Sequence, residues 1–236
     1  MNVLAFDTCF TALSVAVRRD GMDYAERLPL ETGHAEALMP MIARVMHTAD
    51  LAFADLDCIV VTQGPGTFTG VRTGIAAARA LSLATGATLI GVSSLWAIAV
   101  ASRRRLPHVA DSGDALLVAM DARKGQIYAQ AFDIHDNAVT EPLLISVEEA
   151  VALCPDRHLR VIGNAASLVV AAFTAAGRAH ASALDEIELP GQECAEAAAL
   201  LQASGRAPCV GPLQPLYLRP PDAKPQADKS LPWVTT

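Results

Sequence analysis

Cys58-Ile59-Val60-Val61-Thr62-Gln63-Gly64-Pro65-Gly66-Thr67-Phe68-Thr69-Gly70-Val71-Arg72-Thr73-Gly74 is the stretch from which the fold is read. Residues 58–62 make a fully apolar strand. A run of Gly, Pro and Thr then breaks it, and apolar residues return at helical spacing from about Val71 to Ala84. Strand, glycine loop and helix in that order belong to an α/β layer, where amide N–H groups at the helix start favour anions. The loop fits neither phosphate fingerprint. Val71-Arg72 follow Gly70 where a Walker loop needs Lys-Ser/Thr, and Gly64, Gly66 and Gly70 miss G-x-G-x-x-G by one residue. Two readings stay open: a phosphate loop, or a backbone turn with glycine at positive φ and a threonine capping the helix.

Upstream, Asn2–Phe6, Ala12–Val17 and Met22–Leu28 read as three strands joined by tight turns, with Asp20-Gly21 between the last two. A helix is expected from about Gly33 to Ala49, bent by Pro40. Leu38, Met41, Ile42 and Val45 form one apolar stripe, and Met39 and Met46 widen it beyond what one core needs. Downstream, Thr88–Val92 is a fifth strand and Ser93 caps a further helix. Ala80 to Ser102 carries no charge and is long enough to span a bilayer, but Thr85-Gly86, Gly91 and Ser93-Ser94 cut it into helix end, strand and helix start. That is a buried α/β core, and no membrane span is expected. Pro107–Asp114 is a polar break, followed by strands at 115–120, 126–132 and 159–162 and helices at 146–153, 165–176 and 195–203. The expected division is an N-terminal lobe 1–106, a C-terminal lobe 107–219, and a loose, proline-rich tail 220–236.

The 236 residues are 52% hydrophobic and 18% charged, which excludes a disordered chain. Eighteen Lys+Arg against 25 Asp+Glu leave −7, a poor balance for gripping a phosphate backbone, so nucleic acid is expected only indirectly, through a partner. Arg72, Arg79 and Arg103–Arg105 are the basic features, read as solvated or ion-paired. Five scattered cysteines without C-x-x-C fit neither a disulfide framework nor a zinc knuckle, and with no secretory signal the expected compartment is the cytoplasm. Six histidines form no H-x-x-x-H, and no G-x-S-x-G is present, so neither a metal nor a nucleophile–base pair is encoded.

Three further features carry chemistry or packing. Asp7-Thr8 ends the first strand at a turn, suited to a metal–phosphate or to the turn's own N–H groups. Asp121-Ala122-Arg123-Lys124-Gly125 is a hairpin tip, either an anion-facing loop or a solvated turn. Gly70, Gly74, Ala78 and Ser82, every fourth residue of one helix, make a stripe of small side chains, facing either the protein's own sheet or a second subunit.

Phe6-Asp7-Thr8, the Gln63–Gly74 run, Gly91-Val92-Ser93-Ser94-Leu95, Asp121-Ala122-Arg123 and Pro215-Leu216-Tyr217-Leu218-Arg219 together resemble the TsaB (YeaZ) family. The resemblance implies a two-lobed α/β fold of the actin/sugar-kinase/Hsp70 (ASKHA) type. It further implies a subunit without its own active site in the bacterial machinery that puts threonylcarbamoyl on the adenosine beside the anticodon of tRNAs reading ANN codons. The implied partners are the catalytic paralogue TsaD and the ATPase TsaE, with a homodimer when the chain is alone. No cofactor of its own is implied, and ATP or ADP at the subunit interface is left open. The paralogue's metal-binding H-x-x-x-H falls here on Ser94 and Ile98, which are not ligands. Asp7, Thr8, Gly64, Gly66, Thr67 and Gly70 become candidates for a vestigial nucleotide site. Leu38, Met39, Ile42, Val45 and Met46 with Gly70, Gly74, Ala78 and Ser82 become expected partner contacts, so that Gly74→Leu should abolish pairing and leave the monomer folded. The competing reading is an ASKHA-fold ATPase or phosphotransferase acting alone, with Asp7 on Mg²⁺.

Overall fold

The computed structural model describes residues 1–105, 115–153, 158–178, 181–183 and 213–219. The expectations placed on 107–114, on a helix at 195–203, on Cys154, Cys194 and Cys209, and on the tail from 220 lie outside these residues, as do the side chains of Arg104 and Arg105.

The first sheet follows the strand order β3-β2-β1-β4-β5, from β1 (Val3–Asp7), β2 (Ala12–Arg19), β3 (Met22–Pro29), β4 (Cys58–Thr62) and β5 (Thr88–Val92). The β1, β2 and β3 strands are antiparallel, while β4 and β5 join in parallel. Every residue of β1 and β4 is buried, which explains why neither alternates polar with apolar: side chains leave both faces into a core. Leu4, Phe6, Ile59 and Val61 point to one face, packed by α1 (His34–Thr48) and α2 (Phe68–Thr85). Val3, Ala5, Cys58 and Val60 point to the other.

The second sheet runs β10-β9-β6-β7-β8, from β6 (Ala115–Asp121), β7 (Gln126–Phe132), β8 (Leu143–Ser146), β9 (Leu159–Ile162) and β10 (Ala181–Ala183). Its outer face is packed by α4 (Val147–Ala150) and α5 (Ala166–Ala175). Its inner face shares one apolar cluster with the first sheet, and α3 (Ser94–Arg105) contributes Leu95, Ala97, Ile98 and Ala99 to that cluster. The uncharged stretch from Ala80 is therefore the end of α2, closed by Gly86 at φ +78°, then β5, then a buried α3. Among the described residues no helix is long and apolar enough to cross a membrane.

On α1 the stripe Leu38, Met41, Ile42, Val45, Met46 is buried, each side chain contributing roughly 1.5–3 kcal/mol. Pro40 sits in the second turn facing solvent, so the missing N–H and the ring disturb no packing. The expected helix at 146–153 is shorter, with regular helix over 147–150 only. Ser146 starts it with a capping box, its Oγ accepting from Glu149 N (3.1 Å) and Glu149 Oε2 accepting from Ser146 N (2.7 Å).

Candidate functional site: the glycine loop and the inter-lobe cleft

The β1–β2 turn and the glycine loop lock into one another. Thr67 N donates to Cys9 O at 2.8 Å, and Thr8 Oγ1 donates to Gly70 O at 2.7 Å. At the start of α2, Thr67 Oγ1 accepts from Gly70 N (3.2 Å) and Thr67 O from Val71 N (3.0 Å). Three of the loop's amides, those of Thr67, Gly70 and Val71, are thus engaged with the chain itself. Of the loop's glycines only Gly64 needs positive φ, at +99°, whereas Gly66 is small because a Cβ would come within 2.5 Å of Cys9 O. Gly70 is pressed against Thr8 O in the same way. The geometry is that of a turn with a capping threonine, and close approach more than φ explains its glycines.

Asp7 ends β1 with 2% exposure. Its Oδ1 accepts from the Thr62 hydroxyl and from Cys9 N at 3.3 Å. Burial raises its pKa, a rise the hydrogen bonds from Thr62 and Cys9 partly offset. Burial and then the Asp7 charge push the Cys9 thiol well up, while burial and the Asp57 charge push Cys58 up to about 12. Neither thiol has the electropositive, open setting of a reactive cysteine. Ser94 and Ile98 are buried, with Ser94 Oγ donating to Pro65 O at 2.5 Å, and no group of three metal-ligating side chains occurs among the described residues.

Most of the residues expected to touch a partner lie inside the chain. Leu38, Ile42, Val45 and Met46 lie in the core between α1 and the first sheet, and Gly70, Gly74 and Ala78 are buried on the side of α2 that meets the β1–β2 turn and β4. The small-residue stripe faces the protein's own sheet because α2 must pass close over Thr8. Of the nine, Met39 (45% exposed) faces solvent and Ser82 is half-buried, its hydroxyl donating to Ala87 O. The outward side of the pair instead carries Met39, Ala43, Ala76, Ala80 and Leu83, the last 89% exposed. A shallow apolar groove of about 440 Å³ opens beside them between Met39, Phe53, Ala54, Leu81 and Ala84. The alanines of 76–84 mark this exposed face in the sequence, whereas the glycines mark the buried one.

Between the lobes a cleft of about 530 Å³ has the glycine loop on one wall and the β6–β7 hairpin tip on the other, with Leu216–Arg219 along its edge. The hairpin tip places Arg123, Lys124 and Gly125 at φ 62°, 56° and 72°, an exposed turn in which Asp121 Oδ1 accepts from Arg123 N at 2.8 Å and Arg219 bonds from outside. Arg72, Arg79 and Arg103 are committed within the chain. Arg72 Nε donates to Tyr217 OH (2.9 Å), Arg79 Nη2 to Leu213 O (2.5 Å), and Arg103 Nε to Asp136 Oδ1 (2.6 Å). Pro215–Arg219, singled out in the sequence only by the family resemblance, belong to a segment, residues 213–219, that is a structural element of this site.

Comparison with known proteins places this geometry in a family. The family model described as TsaD, tRNA N6-adenosine threonylcarbamoyltransferase, matches residues 30–202. A tRNA threonylcarbamoyladenosine biosynthesis protein TsaB from Escherichia coli K12 is 34% identical over 141 residues, and that match spans 59% of this chain and 58% of the relative. An uncharacterized protein of Mycobacterium tuberculosis H37Rv is 33% identical over 234 residues, 96% of this chain and 95% of its own. Among solved structures, YeaZ from Pseudomonas aeruginosa matches with a TM-score of 0.74 at 23% identity, over 92% of this chain and 99% of that one. The ROK hexokinase of Thermus thermophilus follows at 0.54 and 14% identity, over 85% and 99%. At those identities the structures speak to the fold, an ASKHA-type α/β architecture of two mixed sheets.

Proposed function

The chain belongs to the family that the TsaD model describes, among its TsaB (YeaZ) members, and from that premise we propose that it is a non-catalytic scaffold and activator in threonylcarbamoylation of the adenosine next to the anticodon. It pairs with a TsaD-like catalytic paralogue and a TsaE-like ATPase, forms a homodimer when alone, works in the cytoplasm, and meets tRNA through the complex. The observation that supports this reading over an autonomous ATPase is the closed knot at the end of β1. Asp7, the carboxylate a phosphotransferase would turn to Mg²⁺, is buried and bonded to Thr62 and Cys9 N, and Gly66 and Gly70 are filled by the β1–β2 turn. Pairing runs through the outward faces of α1 and α2, where Met39 and Leu83 leave apolar surface exposed. Binding there contributes by ordering the catalytic subunit, a population shift with no chemistry of its own.

The test is light scattering on the purified chain, alone and mixed with the co-encoded TsaD-like protein, together with a threonylcarbamoylation assay. A homodimer that exchanges into a heterodimer, with paralogue activity rising to saturation as the chain is added, is the expected result. A monomer that ignores the paralogue and leaves its activity unchanged overturns the reading. The ATPase alternative has the open inter-lobe cleft in its favour, and it requires ATP hydrolysis by the chain alone that Asp7→Ala abolishes.

A further inference from the structure

Residues 213–219 run from α2 to the opposite lobe and are gripped along the way. Leu213 is buried, with its methyl group where a side chain on Gly91 would be, and Arg79 of α2 holds its carbonyl. Leu216 N donates to Gln63 O at 2.7 Å, pinning the segment to the residue that leads into the glycine loop. The Tyr217 ring stacks on Phe68 at 5.1 Å between centroids and 27° between planes, its hydroxyl accepts from Arg72, and the Arg72 guanidinium lies 3.9 Å over Phe68. Arg72 and Arg79, seven residues apart and so on one flank of α2, both serve this one segment. Leu218 then packs on the core shared by the two sheets. At the far end Arg219 Nη2 donates to Gln126 Oε1 (2.9 Å) and to Arg123 O (3.3 Å). Arg123 and Lys124 are non-glycine residues in the left-handed region, a conformation that persists where outside contacts hold it, and Arg219 supplies such a contact.

We propose that residues 213–219 are a coupling strap: they transmit the position of α2 to the β6–β7 hairpin of the second lobe, so that order at the hairpin tip depends on contacts made at α2. The use of this coupling by a partner seated on α2 rests on the pairing reading above, whereas the coupling itself is a property of the chain alone.

Hydrogen exchange of the full chain, read by mass spectrometry, tests it without any partner. The reporters are the hairpin amides Ala122 and Gln126, which donate to Gln126 O (2.9 Å) and Arg123 O (3.1 Å), with the β4 amides as the control for global stability. Tyr217→Ala and Arg79→Ala touch only the α2 end, yet each is expected to speed exchange at the hairpin about tenfold with β4 unchanged, as local opening does. Arg219→Ala is expected to do the same from the other end. Tyr217→Phe keeps the ring and loses only the hydroxyl, so it gives a hairpin-selective rise even where the alanine variants loosen the whole chain. Release of the Leu216 amide with hairpin exchange unchanged, in Tyr217→Ala or in Tyr217→Phe, overturns the coupling. Pairing measured separately by light scattering keeps this outcome distinct from failure of the scaffold reading.

Discussion

Gly74 lies so close to Thr8 that a Cβ at position 74 would come within 2.6 Å of the Thr8 hydroxyl oxygen and 3.2 Å of Val61 Cγ2. Gly74→Leu therefore overpacks the contact between α2 and the first sheet and is expected to cost roughly 3 kcal/mol or more, seen as a lowered urea midpoint of the isolated chain. This replaces the expectation from sequence that the variant would unpair subunits and leave the monomer intact. A variant with wild-type stability that fails to pair would return the stripe to the interface.

Leu83→Glu and Met39→Glu act on the opposite side of the same helices. Both side chains are exposed, so stability is expected to stay within about 0.5 kcal/mol of wild type. A charge at the centre of an apolar interface is expected to weaken pairing at least about tenfold. Sedimentation equilibrium with and without the TsaD-like protein measures both, and unchanged association would remove α1 and α2 from the pairing surface.

Asp7 predicts a pH dependence whose sign follows from burial. Its folded pKa is raised above the ordinary 3.8, so between those two values the folded chain keeps a proton that the unfolded chain has lost. Stability from this group then falls as pH rises through that window, and stays lower above it. Asp7→Asn keeps an acceptor for Thr62 and Cys9 N and removes the titration. Across a pH series from 3.8 to 8 the urea midpoint should therefore fall less in the variant than in wild type, while pairing is retained. An equal pH dependence in the two proteins would show that Asp7 does not titrate abnormally.

Arg103 is buried at the end of α3, its side chain 6% exposed, with Nε 2.6 Å from Asp136 Oδ1 and Nη2 donating to Asp133 O. Asp136→Asn leaves the guanidinium without its carboxylate and is expected to cost about 2–3 kcal/mol, below the full value for a buried pair because Asp136 is partly in water. Arg103→Met removes the charge to be compensated, and in that background Asp136→Asn should cost little. A double-mutant cycle on thermal unfolding measures the coupling, and additive effects would mean the pair contributes nothing.

Strands β1 to β5 and helices α1 and α2 were legible because each has a strong local signal: apolar runs for β1 and β4, a 3.6-residue stripe on α1, and a glycine stop at Gly86. The short strands β8 and β10 were not, since three or four half-buried residues carry no periodicity and owe their pairing to β7 and β9. At the site, the Thr67 cap and the turn at Asp7 could be read, because capping and turn chemistry are local. The direction of the Gly70-Gly74-Ala78 stripe could not. Small residues permit a close approach without saying what approaches, and the answer, Thr8, lies more than sixty residues away in the chain. The grip of Arg72 and Arg79 on residues 213–219 spans still greater separations and leaves no local mark at all.

The burial of α3 bears on how the molecule comes apart. Leu95, Ala97, Ile98 and Ala99 sit in one apolar cluster with Val60 and Val92 on one side and Leu116, Val118 and Ile162 on the other, so severing the chain at residue 106 would strip α3 of one of its two walls. Two sheets that share one apolar cluster are expected to unfold together: calorimetry should record a single cooperative melt, and a fragment ending at 106 should expose the apolar face of α3 and aggregate.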